Sequence, residues 1–148
     1  EYIQECLIIR LNNNIFYKEY IALCEGNFTE LDGIINKPIA RKQDSIIERC
    51  ISPNGDKAIT EYKVLAYNKE NNISVVQCIL KTGRTHQIRV HMKSIGHPIL
   101  GDTLYGNSSN IISRQALHAH KICFYHPLTK QSNEFIAPIP KDIEQLIL

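Results

Sequence analysis

The run Thr82-Gly83-Arg84-Thr85-His86-Gln87-Ile88-Arg89-Val90-His91-Met92-Lys93 gathers two arginines, two histidines and a lysine around a glycine turn. A helix opening just after such a turn presents unpaired amide hydrogens and the positive end of its dipole, which together favour an anion. Guanidinium groups clamp a phosphate or carboxylate through paired N–H donors. Arg84 and Arg89, with His86 and Lys93, therefore suit a phosphate or carboxylate site, although physics alone equally allows ordinary surface ion pairs. Tyr20, in an aromatic and apolar run upstream, reads by itself as a half-buried strand tyrosine. The six histidines do not suggest a metal. His86 and His91 lie on well-separated sides of a helix with no carboxylate to complete a triad, and His118 and His120 could share only a strand face.

The elements that must position these residues follow from periodicity and punctuation. Residues 1–15 form a short irregular or helical lead-in closing at the turn signal Asn12-Asn13-Asn14. Phe16 to Cys24 alternates and reads as a strand before Gly26. Thr29 to Gly55 suits a weak strand, a charged loop with a helical turn, and a tight turn at Ser52-Pro53-Asn54-Gly55. Ala58–Tyr67 and Ile73–Leu80 form an antiparallel hairpin that runs straight into Thr82-Gly83-Arg84. Thr85 is the expected cap of a helix from His86 to about Ile95, ended by Gly96 and barred from continuing by Pro98. Ile88, Met92 and Ile95 form its apolar stripe, while His86, Arg89 and Lys93 lie on another side. Leu117–Tyr125 and Ser132–Ala137 read as strands, and Lys141–Leu148 as a closing helix capped by Pro140.

A chain of 148 residues with 43% hydrophobic content fits one globular domain or a large part of one, residues 1–148. The net charge of +2 is mild, so affinity for a polyanion must come from where the basic residues sit. Five cysteines with no CxxC pair read as reduced core residues. With no signal peptide and no apolar run of membrane-spanning length, a cytoplasmic, non-membrane protein is expected. Glu1 at the start and Met92 as the only methionine suggest that further residues lie upstream.

Leu80 to Gly106, with its TGRTHQIRVHM, GHPILGD and YG segments, resembles the signature of the ribosomal large-subunit (RluA-type) RNA pseudouridine synthase family. The likeness extends to Lys18-Glu19-Tyr20-Ile21-Ala22 with Gly26, Ala58 to Tyr62, Leu117-His118-Ala119 with Phe124-Tyr125-His126-Pro127, and Ala137 to Pro140, covering about residues 16–148. The family isomerises uridine in RNA to pseudouridine without metal or organic cofactor, on an everted nucleotide, using an aspartate. The resemblance assigns Arg89 as that aspartate's partner, Tyr20 as the tyrosine packing on the base, and Leu117 as an apolar wall. It leaves Arg84, His86 and Lys93 for RNA backbone contact or local positioning.

The family's HRLDxxTSG segment, which carries the aspartate, has no counterpart here. Asp32 lacks the surrounding motif, and Asp102 belongs to the GD loop as a structural acceptor. The expectation is therefore the C-terminal part of a catalytic domain, supplying the arginine and tyrosine side of a cleft and inactive alone, with Arg89 left uncompensated. The alternative is a non-catalytic RNA-binding module on the same fold. The expected architecture is α+β, mainly antiparallel strands with two helices on one face, forming one lobe with an exposed sheet edge prone to self-association. The partner is ribosomal or transfer RNA.

Overall fold

The computed structural model describes residues 14–147. The expected lead-in, apart from its last two residues, and Cys6 lie outside the described residues. Strands β1 (Ile15–Glu25), β2 (Asp32–Asn36), β5 (Ile59–Asn68), β6 (Ile73–Leu80), β7 (Leu117–Tyr125) and β8 (Ser132–Ile136) form one sheet in the order β2-β5-β6-β1-β7-β8. Every pairing is antiparallel. Helices α1 (Gln87–Ser94) and α2 (Lys141–Ile147) complete the α+β fold.

The central strands are those richest in β-branched and apolar residues. Ala22, Leu23, Cys24, Val76 and Cys78 are almost wholly shielded, whereas the outer strand β8 is exposed throughout, Phe135 and Ile136 included. β8 is an outermost strand of the described sheet. Cys24 and Cys78 are core residues as expected; Cys50 and Cys123 are only partly buried.

Three local expectations are corrected. Strands β3 (Ile39–Arg41) and β4 (Arg49–Ile51) pair as a small hairpin where a loop with a helical turn was expected. Lys42 N–H donates to the Glu48 carbonyl at 2.9 Å and closes its tip. The helices do not share a face. Thr60, Tyr62 and Val64 share a face with Val76, and His91 of α1 meets Thr60 there. Ile147 of α2 instead shares a shallow depression with Val75, whose side chain points to the opposite face.

The third correction concerns the start of α1. Thr85 does not cap it: His86 occupies that position at φ 56°, with no side-chain hydrogen bond to the helix amides. Gln87, 3% exposed, ties the turn and β5 to the first residue of the helix. Its Oε1 accepts from the Thr82 hydroxyl at 2.8 Å and from Arg84 N–H at 3.0 Å. Its Nε2 donates to the Ile59 carbonyl and to Thr60 Oγ1 at 2.9 and 3.0 Å. The far end behaves as expected, with Gly96 at φ +84°.

From Gln87 the proton directions run without ambiguity. His91 is fully buried. Its Nε2 lies 2.9 Å from the Lys37 carbonyl, which can only accept, so Nε2 carries the proton and Nδ1 accepts from Thr60 Oγ1–H at 2.8 Å. Burial, aided by the Lys37 charge and opposed by the Lys37 carbonyl, pulls the His91 pKa below its ordinary 6.5. The unfolded chain therefore binds a proton that the folded one resists. Stability held by this site is complete above pH 6.5 and declines as pH falls below it. Thr60→Val, which strands Nδ1 without a donor, should cost about 1–3 kcal/mol by urea unfolding. The wild-type urea midpoint should fall between pH 7.5 and 5.5; a flat profile would remove His91 from the account.

Candidate active site

The turn between β6 and α1, the face of β1 and the start of β7 meet around a cavity of about 360 Å³. Tyr20, Leu80, Ile88 and Leu117 form its apolar side, and Arg84, His86, Gln87, Arg89 and Gln115 its polar side. Five of the six residues singled out from sequence converge here: Tyr20, Arg84, His86, Arg89 and Leu117. Lys93 does not. It lies a helical turn beyond Arg89 and lines a neighbouring groove with Tyr105, Arg49 and Val90.

Sheet register explains the convergence. Ala22 pairs with Leu117 and Tyr20 with Ala119, so Tyr20 and Leu117 project to the same face. The register slips between Glu19 and Tyr20, a bulge beside the tyrosine of the kind that re-aims side chains near functional sites. Burial raises the Tyr20 pKa above its ordinary 10, so the phenol stays protonated at neutral pH and can donate.

Arg89 is not uncompensated. Its Nε and Nη2 donate to the two Asp102 oxygens, both at 2.8 Å. The arginine side chain is 14% exposed and the aspartate fully shielded. Asp102 Oδ1 also accepts from the Leu104 and Tyr105 amides at 3.2 and 3.3 Å. The Arg89 guanidinium stands 5.0 Å from the Tyr105 ring centre, a cation–π contact. The hydrogen bonds that Arg89 donates to Asp102 raise the Arg89 pKa against the cost of burial. Burial pushes the Asp102 carboxyl up, but Arg89's hydrogen bonds and charge outweigh it and hold the carboxyl below its ordinary 3.8. The expected structural role of Asp102 as an acceptor matches this geometry. Arg89 Nη1 and the second hydrogen of Nη2 have no partner among the described residues, and Arg89 lines the cavity.

Sequence reasoning missed Tyr105. Its hydroxyl accepts from the Arg49 amide at 2.8 Å and lies 2.7 Å from His86 Nδ1, linking the β3–β4 hairpin to the cavity rim. The YG pair was noted only as part of a signature; nothing in its spacing announces the hairpin contact, because Arg49 is far away in sequence. Arg84 Nε is held by the Lys57 carbonyl at 2.8 Å. On the other side of Arg84 lies a second depression of about 390 Å³, lined by Arg41, Arg49, Asp56, Gly83 and Thr85 among others. It is polar, with three arginines at its margin, and suits a backbone anion better than a base.

These features, an apolar slot with a tyrosine wall beside clustered arginines, fit a nucleotide-binding protein of α+β class. Residues 6–94 match the model of the RNA pseudouridylate synthase family. The "uncharacterized RNA pseudouridine synthase YjbO" of Bacillus subtilis (strain 168) is 45% identical over 135 residues, 91% of this chain and 47% of the relative. The ribosomal large subunit pseudouridine synthase D of Vibrio cholerae is 38% identical over 159 residues, 98% of this chain and 48% of that protein. The solved structure of human RNA pseudouridylate synthase domain containing 1 superposes with a TM-score of 0.74 at 26% identity, covering 97% of this chain and 67% of that one. The chain belongs to the RNA pseudouridylate synthase family. It spans about half the length of the curated relatives it matches.

Asp102→Asn leaves the Arg89 charge with a neutral partner in a shielded place and should cost about 3 kcal/mol or more of unfolding free energy. Because the folded carboxyl titrates below 3.8, wild-type stability from the pair is full above that value and is lost as pH falls through the folded pKa. Urea unfolding at pH 7 and in the acid range checks both. The variant should lack the pair's share of the acid limb.

Proposed function

We propose that the chain forms the arginine and tyrosine side of a uridine pocket in an enzyme that isomerises uridine to pseudouridine in ribosomal or transfer RNA, acting in the cytoplasm. The observation that carries the reading is the convergence of Tyr20, Leu117, Arg84, His86 and Arg89 on one cavity. A flipped base would lie between Tyr20 and Leu117. Arg84 and the adjoining arginine-lined depression would take the RNA backbone, with His86 at the rim. Lys93, outside the cavity, would contact backbone only. Arg89, aligned by Asp102, would offer Nη1 to the reaction's aspartate, and Tyr20 would be the proton donor nearest the base.

Among the described residues no carboxylate lines the cavity. Asp102 cannot serve, since its oxygens are committed behind Arg89. Residues 1–148 alone would thus bind RNA without turning it over.

A second reading, a non-catalytic RNA-binding module, gains from one observation: Arg89 already has a structural partner, so its presence does not require a nucleophile. The coding sequence ahead of Glu1 separates the two. An HRLDxxTSG-like segment there supports the enzyme, and its absence supports the binding module.

Among the described residues no helix is long and apolar enough to cross a membrane. The exposed β8 edge would be the place where copies of the chain associate, detectable as a concentration-dependent rise in sedimentation coefficient.

Fluorescence anisotropy with a uridine-bearing single-stranded RNA tests the pocket. Tyr20→Ala and Leu117→Ala should each weaken binding by about tenfold, the scale of one lost base contact. Arg84→Ala should weaken it and lower the salt slope by about one. Because pseudouridine has the mass of uridine, the RNA is digested and its nucleosides are separated by chromatography before tandem mass spectrometry, which should find no pseudouridine. Turnover by this chain, or affinity indifferent to Tyr20 and Leu117, would overturn the reading.

A further inference from the structure

The Tyr105 hydroxyl has a single proton and two neighbours. The Arg49 amide can only donate to it, at 2.8 Å, and occupies its acceptor side. The other neighbour, at 2.7 Å, is His86 Nδ1. Tyr105 is 4% exposed, so solvent offers its proton little alternative. Were Nδ1 protonated, the phenol would receive two donors and its own hydrogen would have no acceptor among the described residues. The arrangement that satisfies every group is Arg49 N–H to Tyr105 oxygen, Tyr105 O–H to Nδ1, and a neutral imidazole with its proton on Nε2.

The surroundings agree. Arg89 from α1 and Arg49 from β4 place cations near the ring. Asp102, the nearby anion, is engaged with Arg89. Desolvation first, then the charges of Arg89 and Arg49, draw the His86 pKa below 6.5 despite Asp102. Nε2 makes no hydrogen bond among the described residues, and His86 lines the cavity. The residue also adopts a left-handed backbone, φ 56°, unusual for a non-glycine and found preferentially where function over-determines the conformation.

We propose that Tyr105 is a positioning residue that holds His86 as a neutral Nε2–H donor to an acceptor oxygen of the target nucleotide, and that docking of the β3–β4 hairpin, through the Arg49 amide, sets that state. His86 then acts as a fixed donor and not as a base. The proposal rests on the cavity being a uridine pocket. It goes beyond that reading by giving His86 a protonation state and by making a hairpin on the far side of the helix part of the site's order.

The test has two arms. In the first, two-dimensional NMR of the chain with ¹⁵N-labelled histidine reads the tautomer directly. The Nε2–H form is expected for wild-type His86 at pH 7, with loss of that preference and of the Arg49 amide's exchange protection in Tyr105→Phe. An Nδ1–H form or an imidazolium in the wild type overturns the proposal whatever the protein binds. In the second, affinity for uridine-bearing single-stranded RNA is measured for three variants. Tyr105→Phe and His86→Asn, whose amide reaches only the Nδ1 position, should each lose about three- to tenfold. His86→Gln, whose amide reaches the Nε2 position, should stay within about twofold of wild type.

Titrations with uridine and uridine 3′-monophosphate then locate the oxygen. Loss in His86→Asn confined to the monophosphate supports a phosphate oxygen, and equal loss for uridine supports a base carbonyl. Wild-type binding that is indifferent to Tyr105→Phe and His86→Asn overturns the inference while leaving the uridine pocket standing. Failure of the wild type to bind any of these probes overturns the pocket, and with it the ligand proposed for His86.

Discussion

The Arg89–Asp102 pair is the interaction on which the order of the site depends. Each partner alone would be a charge withdrawn from water at a cost of several kcal/mol. Together they satisfy each other through two short parallel bonds, and the remaining capacity of Asp102 is filled by two backbone amides. The aspartate is brought there by a loop laid along the end of β1, where Leu100 N–H donates to the Leu23 carbonyl and Cys24 faces Ile99 across an isolated bridge. Three parts of the chain, the central strand, helix α1 and the loop before β7, are thereby brought into register at one carboxylate. Tyr105 follows from the same event: its amide is on Asp102, its ring lies against Arg89, and its hydroxyl reaches the hairpin.

A second network holds the turn that precedes the helix. Thr82, Gln87, Thr60 and His91 form a buried relay in which each hydroxyl both accepts and donates. It begins at the Ile59 amide and ends at the Lys37 carbonyl, so it ties β5, the turn, α1 and the segment after β2 with no buried side-chain polar atom left unpaired among the described residues. The polar residues of Thr82 to Lys93 therefore divide by role. Thr82, Gln87 and His91 fix the backbone through hydrogen bonds, Gln87 also lining the cavity, while Arg84, His86 and Arg89 line the cavity outside that relay.

Much of this was legible in residue order. Strands β1, β5 and β6 announce themselves by alternation and polar turns, and Gly96 with Pro98 closes α1 as their backbone limits demand. Four features were not legible, each because it depends on contacts distant in sequence. The β3–β4 hairpin has only three residues per strand, too few for a period, and is held by Tyr105 and by the bridge from Ile39 to Asp56. Thr85 looks like a cap because threonine is a good one, yet His86 takes that position, and Gln87 fixes the turn by bonding to Thr82, Arg84, Ile59 and Thr60. The placement of α2 across the sheet from α1 depends on which face of β6 is still uncovered, which local pattern does not encode. Arg89 seemed unpartnered because a family aspartate was missing, while the carboxylate that pairs with it stood in the GD loop.

That last point alters what the arginine can mean. A guanidinium has two edges able to meet a carboxylate, and Asp102 takes the one formed by Nε and Nη2. What remains is the outer edge formed by Nη1 and the second hydrogen of Nη2, on a guanidinium that Asp102 holds in place and keeps ionised. A second anion arriving there would not have to bear the cost of orienting the side chain, because the fold has met it. It would, however, share the positive charge with Asp102 and be held less tightly than by a free arginine. For a nucleophile this is a useful compromise, since a carboxylate bound too strongly loses basicity and reactivity. For a phosphate it is a weaker attraction than the arginines around Gly83 provide. On the proposed reading the geometry of Arg89 would suit steering a reacting carboxylate better than gripping RNA, which would favour the enzyme over the binding module although both would retain the Arg89–Asp102 pair.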